Sequence, residues 1–186
     1  MTRPAIFLLV LTLAALVGLA GPAAAQEAGA GGQPPSLGQR TGAKTGLRVP
    51  RFVSLKSDNV NVRVGPSRQH AVVWRYVRVG MPVEITQEFD NWRRIRDFEG
   101  AEGWVFHSLL SGVRTALVAP WDGSKTPVPL YRNARADSPV STRLEPGVQG
   151  KVDSCDGNWC HLEGAEFDGW IEQGMLWGVY PGERFE

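Results

Sequence analysis

From Phe52 onward the sequence alternates short apolar runs with turn residues: FVSLK, VNVRV, AVVWRYVRV, PVEITQEF, WRRIR and GWVF. Each run is four to nine residues long and rich in Val, Ile, Trp and Phe, which predicts strands rather than helices. Gly65-Pro66-Ser67, Gly80-Met81-Pro82, Asp90-Asn91 and Glu99-Gly100 stand between them as turns. Only Val105 to Ser111 and Glu172 to Trp177 suggest a single helical turn. The segment from Gln26 to Arg51 differs: it is rich in glycine and proline and almost without large apolar side chains. It cannot bury enough surface to order itself, and a disordered leader is expected over 26–51.

The pattern is written twice. Sliding the chain along itself places Val62 on Leu130, Gly80 on Gly147, Ile85 on Val152, Trp92 on Trp159, Ile95 on Leu162 and Gly103-Trp104-Val105 on Gly169-Trp170-Ile171. A repeat of this length with about five short strands and no helix predicts a small barrel duplicated in tandem. The expected fold is therefore all-β, with one barrel over 52–114 and a second over 115–186. Leu109 to Pro120, with VRTALVA at its middle, ends one barrel and begins the next with almost no linker. Each copy alone would bury only about 60% of its unfolded surface, so packing of the copies on each other is expected.

The first residues carry Arg3, an apolar run from Ala5 to Ala20, and Ala23-Ala24-Ala25 before Gln26. That order predicts a secretory signal peptide over 1–25, cleaved after Ala25, and a periplasmic or secreted protein. The run is short for a spanning helix, so membrane attachment is expected only if the signal is retained. Outside the cytosol a close cysteine pair is normally oxidised. Cys155 and Cys160 flank Asp-Gly-Asn-Trp, a hairpin that places both on one face of paired strands, and a disulfide is expected there rather than a metal site.

Without the signal the chain has 19 basic and 19 acidic residues, which argues against nucleic acid as a partner. The charge is uneven: residues 52–114 carry nine basic and seven acidic side chains, residues 115–186 six and eleven. No catalytic constellation is read. His70, His107 and His161 lie in unrelated contexts, and Cys160 and His161 alternate to opposite strand faces. Asp97, Glu99 and Glu102 belong to a turn where solvated charge is expected. A non-enzyme without cofactor or metal is the expectation.

NVRVGPS at Asn61 to Ser67, the glycine at Gly80, DNWRRIR at Asp90 to Arg96 and EGWVFHSLL at Glu102 to Leu110 resemble the bacterial SH3 domain. The second copy keeps GNW and DGWI but has LYRNARADSP where the glycine-proline turn would be, so the two copies need not bind the same thing. The resemblance covers 52–176 and implies SH3-like, partly open antiparallel barrels. It also implies a module that holds cell-wall peptide or glycan, peptidoglycan above all. A periplasmic protein or peptide partner, in an assembly role without wall contact, is the alternative. Alternation in Trp92 to Arg96 predicts Ile95 and Arg93 inward, with Trp92, Arg94 and Arg96 on the opposite face. Trp92 would stand beside Trp74 or Tyr76 as an aromatic platform. Trp104, Trp159 and Trp170 read either as core or barrel-closing residues or, for Trp104 and Trp159, as further platform residues.

Overall fold

The computed structural model describes residues 40–119, Trp121, Gly123 and residues 125–186. The expected signal peptide, its cleavage at Ala25, and residues 26–39 of the expected leader lie outside them. From Arg40 onward the leader reading is corrected, because β1 (Arg40–Thr41) and β2 (Arg48–Val49) pair as an antiparallel hairpin. The reason is a buried carboxylate that the composition of the segment does not reveal. Glu88 Oε2 accepts the backbone N–H groups of Lys44 and Thr45, each at 3.0 Å, and Glu88 Oε1 accepts the Thr45 hydroxyl at 2.7 Å. Three donors on one turn substitute for the apolar surface the hairpin lacks.

The first sheet holds β3 (Arg51–Leu55), β4 (Val60–Arg63), β5 (Val72–Tyr76), β6 (Pro82–Phe89), β7 (Trp92–Arg96), β8 (Glu102–Phe106) and β9 (Leu110–Ser111). They pair antiparallel in the order β5-β4-β8-β7-β6-β3-β9. The second sheet holds β10 (Thr115–Val118), β11 (Val128–Tyr131), β12 (Val140–Leu144), β13 (Gln149–Asp156), β14 (Trp159–Glu163), β15 (Asp168–Glu172), β16 (Leu176–Trp177) and β17 (Arg184–Phe185). It repeats the same order as β12-β11-β15-β14-β13-β10-β16, with β17 added against β13. Both paths have free ends, so the chain is all-β with two tandem SH3-like sheets that do not close into rings. The two expected helical turns are the short 3-10 segments His107–Leu109 and Gln173–Met175.

Alternation sends one face of each strand inward. Val53, Leu55, Val60, Val62, Val83, Ile85, Ile95 and Val105 fill the first core, and Leu130, Leu144, Val152, Leu162 and Ile171 belong to the second. Glycine is required where these strands meet: a Cβ on Gly103 would run into the Val62 side chain. Gly80 and Gly147, at equivalent turns, have φ of +74° and +84°, a region L side chains avoid.

The registers expose an exchange between the copies. Glu88 lies opposite Arg93 in the first, and Cys155 lies opposite Cys160 in the second. A buried ion pair with N and O 3.5 Å apart is thus replaced, at the same place, by the expected Cys155–Cys160 disulfide. Each is covered by an added segment, the β1-β2 hairpin over Glu88 and β17 over Cys155.

Both sheets belong to one compact unit, and the contacts between them are specific. Phe52 packs on Trp177 and Tyr180 with ring centroids 5.0 and 4.7 Å apart. The Tyr180 hydroxyl donates to Glu84 at 2.8 Å, Thr115 donates to the Gly80 carbonyl at 2.6 Å, and Trp177 Nε1 donates to the Pro82 carbonyl at 3.3 Å. Burial, then the Glu84 charge, pushes the Tyr180 phenol well above its ordinary range. Only residues 112–114 separate β9 from β10, so each copy covers surface that its neighbour would otherwise leave wet.

Candidate functional site

The candidate site follows from the strand that reads WRRIR. Ile95 lies fully in the core and Arg93 is buried, as alternation requires. Arg93 donates to the carbonyls of Asp90 and Trp92 at 2.9 and 2.8 Å and faces Glu88. Trp92, Arg94 and Arg96 lie on the outer face. Arg94 pairs with Glu102 at 2.6 Å, and Arg96 binds Glu84.

The expected neighbours of Trp92 are corrected. Trp74 and Tyr76 belong to β5, with β4 and β8 between it and β7. They pair in register with Val62 and Val60 and therefore lie on the core side, packed against that cluster. Their rings meet each other at 6.2 Å. The Tyr76 hydroxyl donates to Asp97 at 2.8 Å, and burial followed by that carboxylate raises its pKa well above the usual phenol range. Neither ring joins a platform with Trp92, because the register brings Phe106 opposite Trp92 instead.

Trp92 is only 8% exposed, with Phe106 edge-on at 5.4 Å. The Arg68 guanidinium lies 5.7 Å from the centre of the Phe106 ring. Arg63, in register with Trp104, donates to the His70 carbonyl at 2.6 Å. Together Asn61, Arg63, Arg68, Trp92, Phe106 and Ser108, with Leu109, line a cleft of about 250 Å³. Its lining contains two guanidinium groups and no acid. Such a cleft can stack a planar group on the rings and hold a carboxylate at its rim.

Trp104 and Trp170 are not core residues. Their neighbours Gly103, Val105, Gly169 and Ile171 are buried, so both rings lie half-buried on the outer face. Trp104 meets Phe89 at 6.5 Å, and Trp170 meets His161 at 5.2 Å. Trp159 is half-buried with Tyr131 edge-on at 5.4 Å.

Phe106 was accessible to sequence reasoning, since GWVF alternates and puts it beside Trp104. Arg63 and Arg68 were not, because the former needs the β4-β8 register and the latter the turn from Gly65 to His70. Among the described residues no three His, Cys, Asp or Glu side chains gather as metal ligands would.

Two small open antiparallel sheets in tandem, each with an aromatic outer face, define a duplicated binding module. The family model described as bacterial SH3 domain matches residues 56–112 and 124–178, and the chain belongs to that family. Bacterial SH3 domains are binding modules that generally lack catalytic activity. No curated protein matches the chain. Among solved structures, it is similar to NlpC2 from Trichomonas vaginalis, with 12% identity, a TM-score of 0.31 and alignment over 69% of this chain and 48% of that one. The chain therefore spans about half the length of that protein.

Proposed function

We propose that this protein is an exported, non-catalytic binding module whose first copy recognises cell-wall peptidoglycan through an acid-bearing stretch of its peptide. The observation that carries this reading is the cleft of Trp92 and Phe106 flanked by Arg63 and Arg68. Flat rings give contact area at little entropic cost, and a guanidinium fork matches a carboxylate. The Cys155–Cys160 bridge suits an oxidising compartment such as the periplasm.

Co-sedimentation of the protein with purified sacculi tests it. The wild type should pellet with the sacculi, and Arg68→Ala should reduce the bound fraction about five-fold, the loss expected for one charge-assisted contact. Arg68 is exposed and donates no hydrogen bond within the described chain, so the substitution leaves the fold alone. Wild-type protein that pellets no more than an unrelated control refutes the reading. Capture of an envelope protein in the absence of sacculus binding would favour the assembly role instead.

A further inference from the structure

The two copies can be aligned residue by residue through their registers, and the lining of the outer face changes sign. Arg63 pairs with Trp104 where Tyr131 pairs with Trp170. Trp92 faces Phe106 where Trp159 faces Glu172. The turn bonds from Ser67 N to Gly65 O and from His70 N to Ser67 O recur from Arg135 N to Asn133 O and from Ser138 N to Arg135 O. Ala136 therefore stands where Arg68 stands. Two cations are lost and one carboxylate gained, a difference of three unit charges around one conserved tryptophan position.

The neighbouring charges offset this change only in part, through Arg132, which stands in no ion pair among the described residues. The Arg94–Glu102 pair becomes His161–Asp168 at 3.3 Å. The Glu84–Arg96 pair is reversed as Lys151–Glu163 at 3.5 Å. Arg135 is occupied by Asp137 at 3.1 Å, and Arg132 is exposed on the turn. Glu172 is exposed and forms no ion pair among the described residues. Trp159 and Tyr131 stand nearly perpendicular, at 89°. Two ring faces beside an unpaired carboxylate attract a cation through the ring quadrupoles and through charge.

We propose that Trp159, Tyr131 and Glu172 form a second recognition site, for a primary ammonium group carried on an extended peptide. The site rests on the outer face being the binding face, as in the first copy, but requires the opposite charge. One peptide with a carboxylate and a free amine could thus engage the two copies by different ends, which explains why the duplicated face was not kept identical.

Indole N–H resonances of the full chain, assigned with Trp92→Phe and Trp159→Phe, report on each site separately. Acetyl-lysine methylamide should shift the Trp159 signal with millimolar affinity, while its Nε-acetylated analogue should not. Glu172→Gln should weaken the lysine probe about five-fold, the effect of roughly 1 kcal/mol expected of a cation on exposed rings and a carboxylate. Ala136→Arg, also at an exposed position, should weaken it similarly by restoring the cation of the first copy. A Trp159 signal that does not move, that moves equally with the acetylated analogue, or that is unaffected by both substitutions overturns the proposal. Acetyl-glutamate methylamide serves the other site: its failure to shift Trp92 would count against the first-copy reading and leave the ammonium site standing.

Discussion

Replacing Glu88 with glutamine keeps the shape of the side chain and removes its charge. The carboxylate is fully enclosed and accepts from the Lys44 and Thr45 amides, the Thr45 hydroxyl and Arg51, the last at 2.8 Å. Burial alone would raise its pKa, but the Thr45 and Arg51 hydrogen bonds, with the two backbone N–H groups, bring it down to about 2. Against an unfolded value of about 4.3, at about 1.4 kcal/mol per unit, that is about 3 kcal/mol of stabilisation at neutral pH. The folded pKa is the lower one, so this contribution is present above about pH 4.3 and is lost as the pH falls through 2. Arg51 and Arg93 are the cations facing Glu88, and Lys44 reaches Asp90 at 3.6 Å instead. Removing the charge also leaves Arg93 buried without its counterion. Glu88→Gln should therefore cost about 3 to 4 kcal/mol at pH 7, measured by urea unfolding, and about 1 kcal/mol at pH 2. Other carboxylates titrate in both proteins and cancel in the difference. Hydrogen exchange at Lys44 and Thr45 should accelerate in the variant even where global stability allows folding. A loss below 1 kcal/mol at pH 7, or one that is the same at pH 2 and pH 7, would refute the reasoning.

Three further outcomes follow from the same contacts. Converting Cys155 and Cys160 to serine should lower stability by about 2 kcal/mol in urea, the value for so small a closed loop. Gly103→Ala should cost about 1 to 3 kcal/mol by overpacking against Val62, seen as a lower Tm. The Tyr180 phenol should remain un-ionised well above pH 10 in an ultraviolet titration of the folded protein, and Tyr180→Phe should cost about 1 to 3 kcal/mol by leaving a Glu84 oxygen without its donor.

How much of this was legible in sequence depended on whether a feature was set by alternation or by register. Strands β3 to β8 follow from the short apolar runs between turn residues, and the duplicated Gly-Trp and Asn-Trp landmarks announced the second sheet. The inward turn of Arg93 was also visible, because Ile95 fixes the face. What the pattern could not supply was which strands lie side by side. Trp74 was expected near Trp92, yet two strands intervene, and its partner Val62 draws it to the core side. Trp104 read either as a core or barrel-closing residue or as a platform residue, and the parity of its buried neighbours Gly103 and Val105 places it on the outer face. The hairpin at Arg40 to Val49 was missed for a different reason: it is held by a distant carboxylate, which accepts from the Lys44 and Thr45 amides and the Thr45 hydroxyl. The disulfide was readable because a short hairpin brings its two cysteines together without help from the rest of the fold.

The central claim is that the outer face of the first copy is a binding surface for acid-bearing wall peptide. Titrating soluble, carboxylate-bearing wall fragments into the full chain, with the Trp92 indole signal as the readout, tests it most directly. The account predicts a saturable shift of Trp92 that Arg68→Ala weakens about five-fold. A Trp92 signal indifferent to the fragments, or one that responds equally with and without Arg68, would contradict it.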